Sequence, residues 1–194
     1  MFTSIADKIT TQLEMNDAIK SEDRAIYQYG IQQGLSIMFN LITTFMLGVF
    51  TGMLGESIAF TVAYMLLRPY AGGFHAKTPI RCYIYSVIMV ITVLLAIKLL
   101  PLASVVYVYF LVVGSLTIAL FAPVEDKHKP LDEMEQCVYR KRSLLLLLAE
   151  MLIFVICFIF QAKLLYSSIA MAILSIAILV MAGILKNTFC SKSA

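Results

Sequence analysis

Charge is scarce in this chain. Only 14% of its residues are charged, against 61% hydrophobic, where a soluble domain has about a quarter of its residues charged and covers its surface with polar groups. That shortage excludes an ordinary soluble globular protein. Pro/Gly/Ser-rich linkers, low-complexity stretches and internal repeats are also missing, so residues 1–194 read as one integral-membrane domain. The four cysteines (Cys82, Cys137, Cys157 and Cys190) show no paired metal or redox spacing, and there are only two histidines. Neither a metal site nor a disulfide framework is supported, and no cofactor is expected. The net charge of +3 is small, and the cations lie between apolar runs instead of forming one patch, which argues against nucleic-acid binding.

What fills the chain instead is a series of apolar runs, at about 31–54, 57–67, 83–97, 101–122, 144–160 and 164–185. A helix needs about 20 apolar residues to cross a bilayer, and only helices or closed barrels satisfy their backbone there. The fold class is therefore all-α, a polytopic membrane helix bundle of about six transmembrane helices. The second run is short and ends in Arg68-Pro69, so it is the weakest of the six. Within the N-terminal segment 1–30, Phe2, Ile5, Ala6, Ile9 and Leu13 share one helical face. That is an amphipathic helix, suited either to the membrane interface or to packing on one end of the bundle. Eight charged residues precede the first long apolar run and no cleavage site follows a short apolar core, so this start does not read as a signal peptide. Ser21, followed by Glu22 and Asp23, reads as a helix start.

Cation placement gives the orientation. Thirteen of the fifteen Lys and Arg residues fall before the first run, in 68–82, in 123–142 or after 185, and only Lys98 and Lys163 fall in the other loops. That bias puts both termini and both large polar loops in the cytoplasm, next to a lipid bilayer. Gly48 and Gly52 form a GxxxG, which permits close packing within one subunit or in a homodimer.

The first polar loop holds the unusual residues, in Gly72-Gly73-Phe74-His75-Ala76-Lys77-Thr78-Pro79-Ile80-Arg81-Cys82. On one continuous helix His75 and Cys82 would stand ~10 Å apart along the axis. Proline favours the first helical position and biases its predecessor out of helical geometry, so Thr78 reads as an N-cap and Pro79 as the first helical residue. Cys82 then falls in the opening turn, where the positive end of the helix dipole and Arg81 both stabilise negative charge on sulfur. His75, on the loop before it, is free to fold back, and Cys with His is the minimal nucleophile–base pair for acyl transfer. Gly72 and Gly73 permit close approach, with backbone N–H groups that could face an oxyanion. Arg68, Lys77 and Arg81 equally suit snorkelling topology determinants.

A second pair, His128 and Cys137, lies in the loop at 123–142, where Asp132, Glu133 and Glu135 oppose a thiolate. That loop reads as a solvated topology-setting segment, helical after Pro130 and ending in Arg140-Lys141-Arg142. Glu150 stands apart, inside the fifth apolar run. An intramembrane carboxylate is costly unless paired, so it is expected to orient His75, pair with Arg68, or face a wet crevice.

At Arg68, Gly72-Gly73-Phe74-His75-Ala76 and Cys82, and in a P-V-E…K-P-L loop after the fourth span, the chain resembles the accessory gene regulator B family. Members are membrane cysteine endopeptidases that process precursors of cyclic autoinducing peptides in bacterial quorum sensing. The resemblance implies Cys82 as nucleophile, His75 as base and Arg68 and Gly73 as supporting residues. It implies a short precursor peptide as substrate, cut C-terminal to its future ring and closed into a thiolactone, at the bacterial cell membrane. The alternatives are a peptide exporter, disfavoured by the lack of a nucleotide-binding fingerprint and of an intramembrane charge series, and a non-catalytic membrane scaffold.

Overall fold

The structure, a computed structural model, describes residues 2–16, 18–74, 78–100, 103–125 and 132–191. His75, Lys77 and His128 lie outside them, as does the side chain of Cys190. The elements are α1 (Phe2–Met15), a 3-10 turn (Ser21–Asp23), α2 (Arg24–Thr51), α3 (Leu54–Ala71), α4 (Pro79–Leu99), α5 (Ser104–Phe121), α6 (Glu133–Ile159) and α7 (Lys163–Ser191).

Five helices among the described residues are long and apolar enough to cross a membrane, those built on α2, α4, α5, α6 and α7. The sixth run, α3, is 18 residues long, about 27 Å at 1.5 Å per residue. It carries Glu56 and Arg68, and its buried Ser57 donates to the carbonyl of Thr44 at 2.9 Å. Ser57 and Arg68 are spent on neighbouring protein, which is part of why its composition reads weakly against lipid. The helix also runs through Pro69 to Ala71 instead of stopping there.

Helix α7 is the hub. Residues 166–173 are all buried, with Ser167, Ser168, Ala170 and Ala172 among them, because small side chains let neighbouring backbones approach closely where no hydrophobic effect drives helices together. It packs most extensively on α5 and α3. Ser168 donates to the carbonyl of Glu56 at 3.2 Å near the start of α3, and Phe74 donates to Leu179 at 2.8 Å just beyond its end. The two helices therefore run in the same direction. Ser104 bonds Tyr166 at 3.0 Å, and Gly114 lies against Ile173, so α5 runs that way too. Helices α2 and α6 reach α3 and α7 through tight turns and run oppositely, and α4 lies along α2, with Tyr83 bonded to Thr43 and Lys98 to Thr51. Both polar loops thus emerge at one end of the bundle.

One alternative is settled and one local expectation changes. The Gly48–Gly52 pair is consumed within the subunit: a Cβ on Gly48 would meet Ser57 Cβ at 2.8 Å, and Gly52, at φ 71°, caps α2 in the left-handed conformation. Ser21 does not cap a helix; it opens the 3-10 turn, and its side chain bonds Glu14 of α1. The second loop is helical after Pro130 as expected, and α6 continues through Arg140, Lys141 and Arg142 into the fifth apolar run.

Helix α1 packs on α2, with Ala6 and Thr10 buried. Arg24 holds it, bonding Glu14 at 2.6 Å and Asp7 and Thr11 at 3.0 Å. Hydrogen bonds from Ser21 and Arg24 keep the Glu14 carboxyl below its usual range. A depressed carboxylate stabilises above its unfolded pKa and loses that contribution as pH falls through the folded value. Protection of the α1 amides, taken as exchange rate relative to the intrinsic rate at each pH, is therefore expected to be unchanged from pH 8 to 6 and to fall below about pH 4, and Arg24→Met is expected to lower it already at pH 7. Protection in α1 that is indifferent to both would remove this clamp.

Candidate functional site

Helix α4 begins where the Thr-Pro pair predicts. Thr78 is extended (φ −133°, ψ 146°), its hydroxyl accepts from the Arg81 N–H at 3.4 Å, and Pro79 opens the helix. Cys82, whose N–H donates to the Thr78 carbonyl at 3.1 Å, is in the first turn and exposed. Arg81 is also exposed.

On the other side of the loop, the backbone at 72–74 is fixed from three directions. Gly72 pairs with Val124 in a parallel bridge, through Gly73 N–H to the Val124 carbonyl at 3.0 Å and Val124 N–H to the Ala71 carbonyl at 3.1 Å. Phe74 N–H reaches the Leu179 carbonyl of α7. From α3, Arg68 donates through Nη1 to the Gly72 carbonyl and through Nη2 to the Phe74 carbonyl at 2.7 Å. A planar guanidinium with five donors suits this two-carbonyl clamp, which an ammonium could not span in the same way. The glycines are required here. A Cβ on Gly72 (φ 70°) would meet the Val124 carbonyl, and one on Gly73 (φ 104°) the Leu179 carbonyl at 2.7 Å.

Those contacts alter one expectation. The Gly73 N–H is committed to Val124 and the Gly72 N–H to Arg68 at 3.3 Å, so neither is turned toward a substrate oxyanion. The pair builds the seat of the loop.

The described parts of the site meet through aromatic rings. Phe74, the residue before His75, packs edge-on to Tyr85, one turn past Cys82, with centroids 5.9 Å apart. Lys186 of α7 lies over the other partner in this contact, 5.4 Å from the Phe74 centroid. Tyr64, one turn before Arg68 on α3, stacks on Phe60 with centroids 5.8 Å apart.

The second polar loop buttresses the first. Besides the Val124 bridge, Asn187 of α7 donates to the Glu125 carbonyl at 2.9 Å. Beyond it α6 starts as a solvent-exposed extension, Asp132 N–H donating to the Glu135 carboxylate at 3.3 Å, and Cys137 is exposed on it. Cys157 is buried.

Glu150 is not brought to Arg68. Its side chain is buried, and neither carboxylate oxygen has a hydrogen-bond partner among the described residues. Tyr70, two residues beyond Arg68, meets Tyr139 and Arg142 of α6 at 5.9 and 5.6 Å, so Glu150 sits about 12 Å further along that helix, away from the polar loops. Among the described residues no group of three His, Cys, Asp or Glu is placed to hold a metal ion.

Sequence reasoning missed Val124, Leu179, Gly183 and Asn187. Val124 stood in the P-V-E segment without its role being visible, and Gly183 showed as a glycine inside an apolar run, whose reason is close approach to the Gly73 and Phe74 backbone.

Fold and site together define a polytopic helical membrane protein with an exposed cysteine at a helix start, beside a backbone segment clamped by three other helices or loops. The chain belongs to the accessory gene regulator B family, whose model matches residues 3–184. It is 24% identical over 184 residues to an AgrB-like protein of Clostridium perfringens (strain SM101 / Type A), covering 89% of this chain and 82% of that one. It is 27% identical over 136 residues to protein FsrB of Enterococcus faecalis (strain ATCC 47077 / OG1RF), covering 69% and 56% of the two chains. With the accessory gene regulator protein B of Staphylococcus aureus (strain JH9) the identity is 22% over 130 residues, 67% of this chain and 70% of that one. No solved structure matches the chain.

Proposed function

We propose that this protein is a membrane cysteine endopeptidase that cleaves a short precursor of an autoinducing peptide and cyclises the product, in bacterial quorum sensing. The observation that carries this reading is the pairing of an exposed Cys82 in the first turn of α4 with a rigid seat for the residues leading to His75. Cys82 acts as nucleophile and His75 as base. Family membership supports the assignment, since both residues stand in the stretch that carries the resemblance. The end of the bundle holding both polar loops faces the cytoplasm, as the thirteen-to-two cation bias supports.

The reaction runs in two acyl transfers. His75 takes the Cys82 proton, and the sulfur attacks the scissile carbonyl. The C–N bond breaks, the departing amine receives a proton from His75, and the N-terminal part of the precursor remains as a thioester on Cys82. A thiol within that peptide then attacks the thioester, its proton passing to the returning Cys82 thiolate, and the ring closes as a thiolactone. This second step exchanges one thioester for another, so it runs near equilibrium where hydrolysis would be steeply downhill. Tethering gives the internal thiol a high effective concentration, and the membrane edge limits competing water.

A precursor whose ring cysteine is replaced by alanine tests this. With protein reconstituted in lipid, it is expected to be cut once and to leave its N-terminal fragment on Cys82, visible by intact-protein mass spectrometry and removed by hydroxylamine. Normal turnover to a free linear acid with no adduct would mean a plain hydrolase, and no cleavage at all of the unmodified precursor would overturn the peptidase reading.

A further inference from the structure

The end of the bundle opposite the polar loops has two cations, Lys98 and Lys163, and they are the two exceptions to the charge bias of the whole sequence. Far apart in the chain, they line the same cavity, of about 350 Å³, where the α2–α3 turn meets the end of α4 and the start of α7. Glu56 lines it as well, and Met53, Ile97 and Leu164 give it an apolar wall. Lys98 is oriented by a 2.6 Å bond to the Thr51 carbonyl at the end of α2, which uses one of its three N–H groups. No ion pair joins either lysine to Glu56 among the described residues. The cavity therefore keeps a net positive charge, next to an apolar surface, at the level where helix ends leave the hydrocarbon.

We propose that this cavity binds the headgroup of an anionic phospholipid, with its phosphodiester between Lys98 and Lys163. An amphiphile fits the lining better than a free ion does: the two ammonium groups meet the phosphate, the Met53, Ile97 and Leu164 side chains meet the glycerol and the upper acyl chain, and Glu56 accepts from headgroup hydroxyls. A lipid of zero net charge offers the cavity no compensation for its excess cation. The volume lies within the range of small-molecule sites, from about 300 Å³ upward. The lipid would add to the Lys98–Thr51 and Ser168–Glu56 bonds that already join α2, α3, α4 and α7 at this end.

The test is lipid retention, independent of peptidase activity. Protein reconstituted in equal parts phosphatidylglycerol and phosphatidylcholine is extracted into mild detergent and its retained lipid counted by native mass spectrometry. Wild-type protein is expected to keep phosphatidylglycerol. Each basic side chain near an anionic lipid is worth roughly fivefold in affinity, so Lys98→Gln with Lys163→Gln is expected to weaken retention about thirtyfold. Lys163→Gln alone, which leaves the Lys98–Thr51 bond in place, is expected to give about a fivefold loss and covers the case that the double variant does not fold. Equal retention of the two lipids by the wild type, or undiminished retention in Lys163→Gln, overturns the proposal. Release of the lipid by millimolar inorganic phosphate would assign the cavity to a free oxyanion and likewise overturn it.

Discussion

Cys82→Ala is expected to leave no measurable cleavage of the precursor, a loss on the order of a millionfold if the thiol forms the acyl-enzyme, while Cys137→Ala and Cys157→Ala keep most of the wild-type rate. The asymmetry follows from position. Cys82 is exposed in the first turn of α4, beside the Thr78 cap. Cys157 is buried on the packed face of α6, where no peptide reaches it. Cys137 is exposed, but it stands four residues into α6, outside the 68–82 stretch that carries the family resemblance. The measurement is the C-terminal fragment released by purified protein in lipid, with monodispersity on size exclusion as the folding control. Cleavage that survives in Cys82→Ala ends the nucleophile assignment, and complete loss in Cys137→Ala alone would move it to the second loop.

Gly183→Ala is expected to be the next most damaging single change, although the residue lies on the last helix and carries no chemistry. A Cβ there would come within 2.8 Å of the Gly73 carbonyl carbon, 2.9 Å of the Gly73 Cα and 2.9 Å of the Phe74 nitrogen. All three are backbone atoms, so no flexible side chain can turn away. Either α7 or the 72–74 segment must shift, and the segment is held by Arg68 and Val124 as well. The displacement falls on the residues immediately before His75. Misplacing a catalytic group by about 1 Å costs on the order of a hundredfold, and that is the expected fall in cleavage rate. Alkylation of Cys82 by a small reagent is expected to stay within a few-fold, because α4 is not touched. Gly30→Ala, with nothing within 4 Å of its Cβ position, is the matched control and should be silent. A Gly183→Ala protein that cleaves at the wild-type rate would show that the loop does not depend on its seat.

The helices were legible because each signal lay within a few adjacent residues. Apolar runs marked the spans, and Thr78-Pro79 marked the start of α4 to the residue. The weak reading of the second run also had a local cause, since Ser57 and Arg68 lower its apolar character while serving contacts inside the protein. What the sequence hid was everything that joins distant segments. Gly72 and Val124 are 52 positions apart, Phe74 and Leu179 more than a hundred, and nothing in either stretch names its partner. The same gap misdirected the reading of Gly72 and Gly73 as oxyanion donors, because a glycine pair shows that backbone comes close to something and not to what. Glu150 was visible as an anomaly, but its burial without a partner needed the packing of α6 to see.

The seat at 72–74 also sets an order in time. Arg68 and the glycines leave the ribosome early, but Val124 comes 52 residues later and Leu179 and Gly183 belong to the final helix. At about 5–20 residues per second, the segment before His75 spends several seconds in the membrane without the strand partner and the helix carbonyl that define its path. A chain stalled or clipped before residue 179 could insert α2 to α6 and still lack that geometry. The geometry of the first loop is thereby withheld until the far half of α7 has been made, and a product cut short within α7 would lack it.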